Sequence, residues 1–307
     1  MVNGVKKICV IDSVYTFMVF MLINIEHYKD FFYVFWRNVP DSIFNRMPHK
    51  IRNEYPLGCI SNPYRLYNNY RLWRNFNRIM TQNSLWGLPA CGQDHLPFSR
   101  CLLNFTNVNF EEYEDGLENY NHQREKIRFI FLRRLLFADR LQSFAFANRV
   151  LRAYLTHPEL HIDPLVKDKV VWIDLKSKWD SLTIEQKEFM CDLFDMRTLN
   201  VAPNRNTLII TRPLAEDGIC SEEDKIRMIG SMIEGVDSSD LVIKPHYRER
   251  TNYKEYFKGV TVLNGKFPIE LFLLKFGGQF SKILSVGKSS VELFVKQYYP
   301  NINYKTI

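Results

Sequence analysis

Apolar and polar positions along this chain switch between the two periods that mark strands and helices. Near the N-terminus, KKICVID predicts a buried strand from Lys7 to Ile11, and VYTFMVFMLINI predicts a helix from Val14 to Ile25. The polar pair Asp12-Ser13 separates them. A membrane anchor would need roughly 20 unbroken apolar residues, and a carboxylate inside the run makes insertion costly. A strand followed by a buried helix is therefore preferred to a signal anchor. FFYVFW then reads as a second strand, and strand–helix–strand order is the mark of parallel α/β architecture.

The second half repeats the alternation. LTIEQKEFMCDLF (182–194) has helical spacing, and TLIIT, Thr207 to Thr211, is a short buried strand followed by the loop RPLAEDGIC. SEEDKIRMIGSMIEGV opens with Ser221 as N-cap and carries Glu223 and Asp224 in its first turn, which suits a helix start. DLVIKPHYRER predicts a strand ending at Lys244-Pro245-His246. VTVLNG and SKILSVG predict further strands, FPIELFLLKF and SSVELFVKQYY further helices. At 307 residues the chain exceeds what one core usually serves. We expect two lobes, 1–178 and 179–307, joined through a linker in 156–183, where THPELHIDPLVKDK and KSKWDS loosen the pattern.

Two segments are basic and amphipathic. Residues 64–80, YRLYNNYRLWRNFNRIM, set four arginines among aromatics, and residues 124–155 hold eight basic against two acidic side chains. Such helices either lie on an anionic membrane surface or pack an apolar stripe on a sheet and leave the arginines in water; the second is preferred. The whole chain carries 41 Lys and Arg against 34 Asp and Glu, a net charge of +7. That balance fits nucleic acid, an acidic membrane face or an anionic sugar nucleotide, and equally a basic soluble protein. The six cysteines form no C-x-x-C pair, which argues against a zinc knuckle or redox motif and fits a reducing cytoplasm.

In open α/β sheets ligands bind beyond the carboxyl ends of strands, so the loops there hold the candidate chemistry. Tyr113-Glu114-Asp115-Gly116 puts two carboxylates at a strand end, where repulsion raises one pKa and creates a base; a solvated acidic turn is the plainer alternative. At Lys244-Pro245-His246 an imidazole can serve a leaving phosphate, or be structural. In Phe267-Pro268-Ile269-Glu270 the carboxylate suits ribose hydroxyls or the helix dipole. Ser285-Val286-Gly287-Lys288-Ser289-Ser290 makes an anion site at a helix start, or an ordinary serine cap. Its Gly-Lys-Ser is not a P-loop, because Lys282 stands where the first glycine would be. D-x-D and H-E-x-x-H are missing, which argues against a metal-bridged nucleotide sugar.

The order of these loops, Tyr-Glu-Asp-Gly, then Lys-Pro-His, Pro-x-Glu and Ser-Ser, resembles bacterial sialyltransferases with their D/E-D/E-G, H-P and S-S/T motifs. The nearest group is glycosyltransferase family 52, the lipooligosaccharide and capsule sialyltransferases; KKICVIDSVYTF and TLIITRPLAEDG are similar to it as well. The likeness runs from Lys6 to about Tyr299. One departure is Tyr247, where the family usually has proline after the histidine.

The resemblance implies a GT-B fold, two Rossmann-like lobes with parallel sheets facing a central cleft, the N-terminal lobe on the acceptor side and the C-terminal lobe binding the nucleotide sugar. It implies an inverting, metal-independent transfer of sialic acid from CMP-sialic acid to a terminal galactoside of a bacterial surface glycan. Glu114 would be the general base, Asp115 would orient it or the acceptor, and Asp217 of Glu216-Asp217-Gly218 is the rival base. His246, Ser289 and Ser290 would hold the CMP phosphate, Glu270 the cytidine ribose, and Lys244 and Gly287 complete the donor-binding set. A cytoplasmic location follows, with peripheral association at the inner membrane face and a homodimer both compatible and no nucleic-acid partner. A related enzyme using another nucleotide sugar and a non-catalytic basic membrane- or nucleic-acid-binding protein are the rival readings. The acidic loop from Glu111 to Glu118 weighs against the latter.

Overall fold

The computed structural model describes residues 4–53, 65–121, 143–160, 163–202, 205–287 and 289–306. It divides into two compact units, Met1–Gln186 and Lys187–Ile307. In the first, seven strands form a parallel sheet: β1 (Lys7–Ile11), β2 (Phe31–Phe35), β3 (Lys50–Arg52), β4 (Ala90–Gly92), β5 (Phe110–Tyr113), β6 (Val150–Leu155) and β7 (Val170–Trp172). Their order is β3-β2-β1-β4-β5-β6-β7.

Because side chains alternate across a strand, a sheet covered on both faces needs apolar residues at nearly every position. β2, FFYVF, is buried throughout. Phe32 and Val34 join Ile8, Val10, Phe76, Phe98 and Phe110 in a core on one face. Phe31, Tyr33 and Phe35 turn to the other, where Phe17 and Phe20 of the helix Val14–Asn24 meet them edge to face at 4.9–6.2 Å. That helix is buried from Thr16 to Leu22 and capped by Ser13, whose side chain accepts from the Thr16 amide. It is apolar all round because it is buried all round. Among the described residues no helix is long and apolar enough to cross a membrane.

The sheet order reverses between β1 and β4, and there the two strands crowd each other. Gly92 has φ +116°, and a Cβ on it would fall 2.0 Å from the Val10 carbonyl oxygen. Only glycine meets both demands.

The second unit is another parallel sheet, β10-β9-β8-β11-β12, built from β8 (Thr207–Ile210), β9 (Leu241–Lys244), β10 (Thr261–Val262), β11 (Lys282–Ser285) and β12 (Asn303–Thr306). Ile209, Ile243 and Leu284 pack with Ile229, Met232 and Tyr253 on one face. Leu208, Val242 and Ile283, fully buried as well, point the other way. Ser221 caps the helix Glu222–Met232 as its sequence predicts, accepting from the Asp224 amide.

Two expectations are corrected. Residues 156–183 are not a linker: they include β7, which pairs with β6, and the helix Leu175–Asp180, both inside the first unit. The two expected lobes correspond to the two units, with the division at Gln186/Lys187 and not at 178/179. The edge strand was hidden because three residues are too few to display a period, although Lys169 Nζ anchors its start on the carbonyls of Ala145 and Ala147. The end of the basic stretch 124–155 is a strand, since Val150–Leu155 pairs in parallel with β5. Residues 122–142 of that stretch, 64 of the other, and Lys288 lie outside the described residues.

We predict that Gly92→Ala destabilises the first unit by about 2 kcal/mol or more through overpacking and a strained φ. Urea unfolding with an unchanged midpoint would contradict the close approach of β1 and β4.

Candidate functional site

Where strand order reverses in a parallel sheet, the flanking loops part and leave a crevice at the carboxyl edge. In the first unit that point lies between β1 and β4. Gln93 Oε1 accepts from the amides of Asp12 (2.6 Å) and Ser13 (3.3 Å), tying the two loops together. Asp12 accepts from the backbone and side chain of Asn38, which oppose the rise in its pKa caused by burial.

β5 brings the acidic pair to the same edge, and its two carboxylates meet unlike surroundings. Glu114 is buried and accepts from Tyr15 Oη (2.9 Å), Tyr120 Oη (2.7 Å), Thr156 Oγ1 (2.9 Å) and the Thr156 amide. Burial raises its pKa and these donors pull it back. With four donors on two oxygens, the group joins the first helix, the Tyr120 segment and the end of β6. Asp115 keeps 22% of its side chain exposed, and His95 Nε2 lies 3.5 Å from its Oδ2. His95 stacks on Phe144 at 4.8 Å.

Behind His95 lies a second acid pair. Asp94 accepts from the amides of Phe144 (2.6 Å) and Ala145 (2.8 Å), and Glu112 from the amide of Asp94 (2.7 Å). Burial lifts Asp94 to about 6 against those amide bonds; burial and then the Asp94 charge push Glu112 up. Asp94, His95 and Glu112 present ligand atoms within 4.8 Å of one another, a spacing that suits a cation. The amide bonds already on both carboxylates make a structural role the simpler account.

In the second unit the order reverses between β8 and β11. The residues after β8 are Thr211 and Arg212, those after β11 Val286 and Gly287, with His246 following the neighbouring β9. The His246 loop is stitched to the β8 loop by three carboxylates. Glu249 accepts from the His246 amide (2.7 Å), Thr211 Oγ1 (2.6 Å) and Tyr253 Oη. Glu216 accepts from the Arg250 amide (2.7 Å). Asp217 is gripped by both Arg248 nitrogens, at 2.6 and 3.1 Å. Lys225, fully buried, balances Glu222 (3.0 Å), Glu216 (3.3 Å) and Glu249 (3.9 Å). Burial opposes its charge, but the carboxylates outweigh it and raise its pKa.

His246 Nδ1 accepts from the Arg248 amide at 3.3 Å, which leaves the proton of a neutral ring on Nε2. Its pKa is lowered to about 4, by burial first and then by Arg248 and Lys244; Asp217 opposes, and Arg212 adds to the lowering. Gly287 takes φ +72°. Ser289 Oγ accepts from the Val291 amide at 3.3 Å, while Ser290 caps the helix Val291–Tyr298 without using its side chain. The loop thus offers serine hydroxyls at a helix start, while the amides of Val291, Glu292 and Leu293 already donate to oxygens of Ser289 and Ser290.

Two residues expected to touch the nucleotide are buried. Lys244 Nζ donates to the carbonyls of Pro245 (3.0 Å) and Gly265 (3.1 Å) and lies over the Phe267 ring. Burial lowers it to about 8 against the charges of Glu270 and Glu249. Glu270, in the first turn of the helix Ile269–Phe276, is only 6% exposed. Both fit a clasp beneath the histidine loop.

The family model of glycosyltransferase family 52 matches residues 28–296. The chain belongs to glycosyltransferase family 52. A relative of this family 52 glycosyltransferase, an uncharacterized protein of Haemophilus influenzae, is 32% identical over 209 residues, 67% of this chain; the chain spans 65% of that relative's length. Among solved structures, the α/β-galactoside α-2,3-sialyltransferase of Photobacterium phosphoreum is similar at TM-score 0.56 and 12% identity, covering 99% of this chain and 90% of its own. The Photobacterium damselae sialyltransferase reaches 0.54 at 12% identity, covering 92% and 87%. The UDP-GlcNAc 2-epimerase of Methanocaldococcus jannaschii reaches 0.53 at 10%, covering 98% and 88%. At such identities the likeness concerns the fold, which is of the GT-B type with two Rossmann-like units.

Sequence reading passed over His95, Glu249, Lys225 and Arg212. Arg212 and Glu249 lie within a few residues of a strand end, a signal that was available. Lys225 sits mid-helix, where nothing in the spacing distinguishes it from a solvated lysine.

Two outcomes follow for this member of family 52. The His246 ring should titrate near 4 in the free protein by NMR. The unfolded chain takes up that proton near 6.5, so acidification through this window destabilises the fold, and His246→Gln should flatten that part of the stability profile. Lys225→Met, which strands Glu249 in the interior, should cost about 3–5 kcal/mol in urea unfolding; a cost within error would mean the cluster is solvated.

Proposed function

We propose that this family 52 glycosyltransferase moves sialic acid from CMP-sialic acid to a terminal galactoside of a bacterial surface glycan, lipooligosaccharide or capsule, with inversion and without a metal ion. The observation that carries the reading is the make-up of the carboxyl edge of the second unit. A neutral imidazole aimed by three carboxylates, an open serine hydroxyl and a glycine turn stand together at the reversal of strand order. That set suits a leaving phosphate.

In this scheme the second unit binds the donor and the first supplies the base. The acceptor hydroxyl gives its proton to a carboxylate, its oxygen attacks the anomeric carbon, and the bond from that carbon to the phosphate oxygen breaks, its electron pair leaving with CMP. His246 donates from Nε2 to the departing phosphate, and the hydroxyls of Ser289 and Ser290 spread its charge. The attacking oxygen enters opposite the leaving group, so the configuration inverts.

We assign the base to Asp115, partnered by His95. Its neighbour Glu114, first in the motif, has its oxygens engaged by four donors, and a base needs a lone pair within reach of substrate. Glu114 then aims the loop. Asp217, held by the Arg248 fork, sets the charge around His246. Glu270 and Lys244 support the donor loop from beneath. Association with the inner membrane face would bring the enzyme to a lipid-linked acceptor.

Asp115→Asn should lower the transfer rate by about 10²-fold or more with an unchanged melting temperature. Glu114→Gln should lower that temperature as well as activity. Full activity in Asp115→Asn beside a folded, inactive Glu114→Gln would return the base to Glu114. Transfer should survive EDTA, and CMP but not UDP should stabilise the protein to heat; stabilisation by UDP alone would replace the donor.

A further inference from the structure

Among the described residues, one cation at the carboxyl edge of the second unit has no ion-pair partner. Around it every acidic group is engaged: Asp217 with Arg248, Glu216 with Lys225 and the Arg250 amide, and Glu249 with Thr211, His246, Tyr253 and Lys225. Arg212 makes no ion pair among the described residues. It is exposed and follows β8, the middle strand of the sheet, at the point where strand order reverses.

Its position is set on both sides. The Arg212 carbonyl accepts from the Leu214 amide at 2.8 Å, and the adjacent Thr211 amide donates to the Lys244 carbonyl at 3.3 Å, so the backbone is fixed. The guanidinium lies across the turn after β11. A Cβ on Gly287 would come within 2.9 Å of Arg212 Nη1 and 3.5 Å of its Cδ. The missing side chain at 287 is therefore what lets the arginine cover the loop that carries Ser289 and Ser290. Arg212 also contributes to the potential that keeps His246 neutral.

One phosphate does not use all of these donors. CMP-sialic acid carries a second acidic group, the carboxylate on its anomeric carbon, next to the bond that breaks. A guanidinium presents paired N–H groups in a plane that matches a carboxylate, and it also matches a second phosphate. We propose that Arg212 binds the second anionic group of the donor, beside the phosphate held by His246 and the serines. This inference rests on the donor reading above. It makes Arg212 the residue that separates the intact donor from CMP.

The test is isothermal titration of wild type, Arg212→Gln and Arg212→Lys with CMP, with the non-transferable CMP-3-fluoro-sialic acid, and with UDP and UDP-GlcNAc. We expect Arg212→Gln to keep CMP affinity within about 3-fold and to weaken the fluorinated donor about 10-fold or more, in line with loss of a charge-assisted pair. Arg212→Lys should recover part of that loss, because it restores charge without the fork. Selective loss for UDP-GlcNAc, in a protein that binds it and not the fluorinated donor, would support the anion site and identify its occupant as a second phosphate. Equal loss for CMP and the fluorinated donor would overturn the proposal by putting Arg212 on the shared phosphate; no loss for either would overturn it as well. Wild type that binds none of the four ligands would instead sink the donor reading, before any variant is made. An unchanged melting temperature guards against misfolding and is expected for an exposed side chain.

Discussion

All of the chemistry described here depends on one constraint: every strand in each sheet points the same way, and the strands that flank each reversal of order, β1 with β4 and β8 with β11, are buried on both faces. Such strands must be rejoined by crossovers, so one end of each sheet collects the loops that start helices and the other collects the returns. In the first unit Asp12, His95 and Asp115 emerge from three different strands yet reach one edge. In the second, Arg212, His246 and Gly287 do the same. Gly92 shows how tight the geometry is, since the neighbouring strand's carbonyl occupies the place of its missing Cβ.

Charge is handled differently in the two units. The first satisfies its buried acids Glu114, Asp94 and Glu112 mainly with hydroxyls and amides, and leaves its ion pairs, such as Lys7 with Glu111, to less buried positions. Low polarity then favours protonation, and these groups become rigid acceptors of hydrogen bonds. The second unit sets opposite charges against each other, with Lys225 and Arg248 as partners, and uses the result to orient one imidazole. Fixed dipoles and fixed ions reach the same end: a polar side chain that does not need to reorganise when substrate arrives.

Much of this was legible in the chain. TLII, LVIK and KILS are uniformly apolar apart from their ends, so the inner strands of the second sheet announced themselves, and Ser221 marked a helix start by its hydroxyl and its following acids. The strand ends pointed to loops that the sheets do carry at their carboxyl edges. The shortest strands were not legible: ACG, in the middle of its sheet, and VVW, at its edge, are too short to display a period, and the pairing of Val150–Leu155 depends on β5, far away in sequence. Nor could YEDG reveal which acid is sealed, because Tyr15 and Thr156 approach Glu114 from 99 and 42 positions away. Burial of Lys244 and Glu270 was hidden for the same reason, since composition says nothing of the carbonyls of Pro245 and Gly265 waiting for the ammonium.

The buried ammonium of Lys225 has an evolutionary corollary. It answers to carboxylates contributed by three segments, of which Glu249 is as deeply enclosed as the lysine itself. A lone exchange at either position strands the other, so drift must proceed through coordinated replacements. Homologues should therefore retain the whole ionic knot or have traded it together for an apolar plug, with mixtures purged from the lineage.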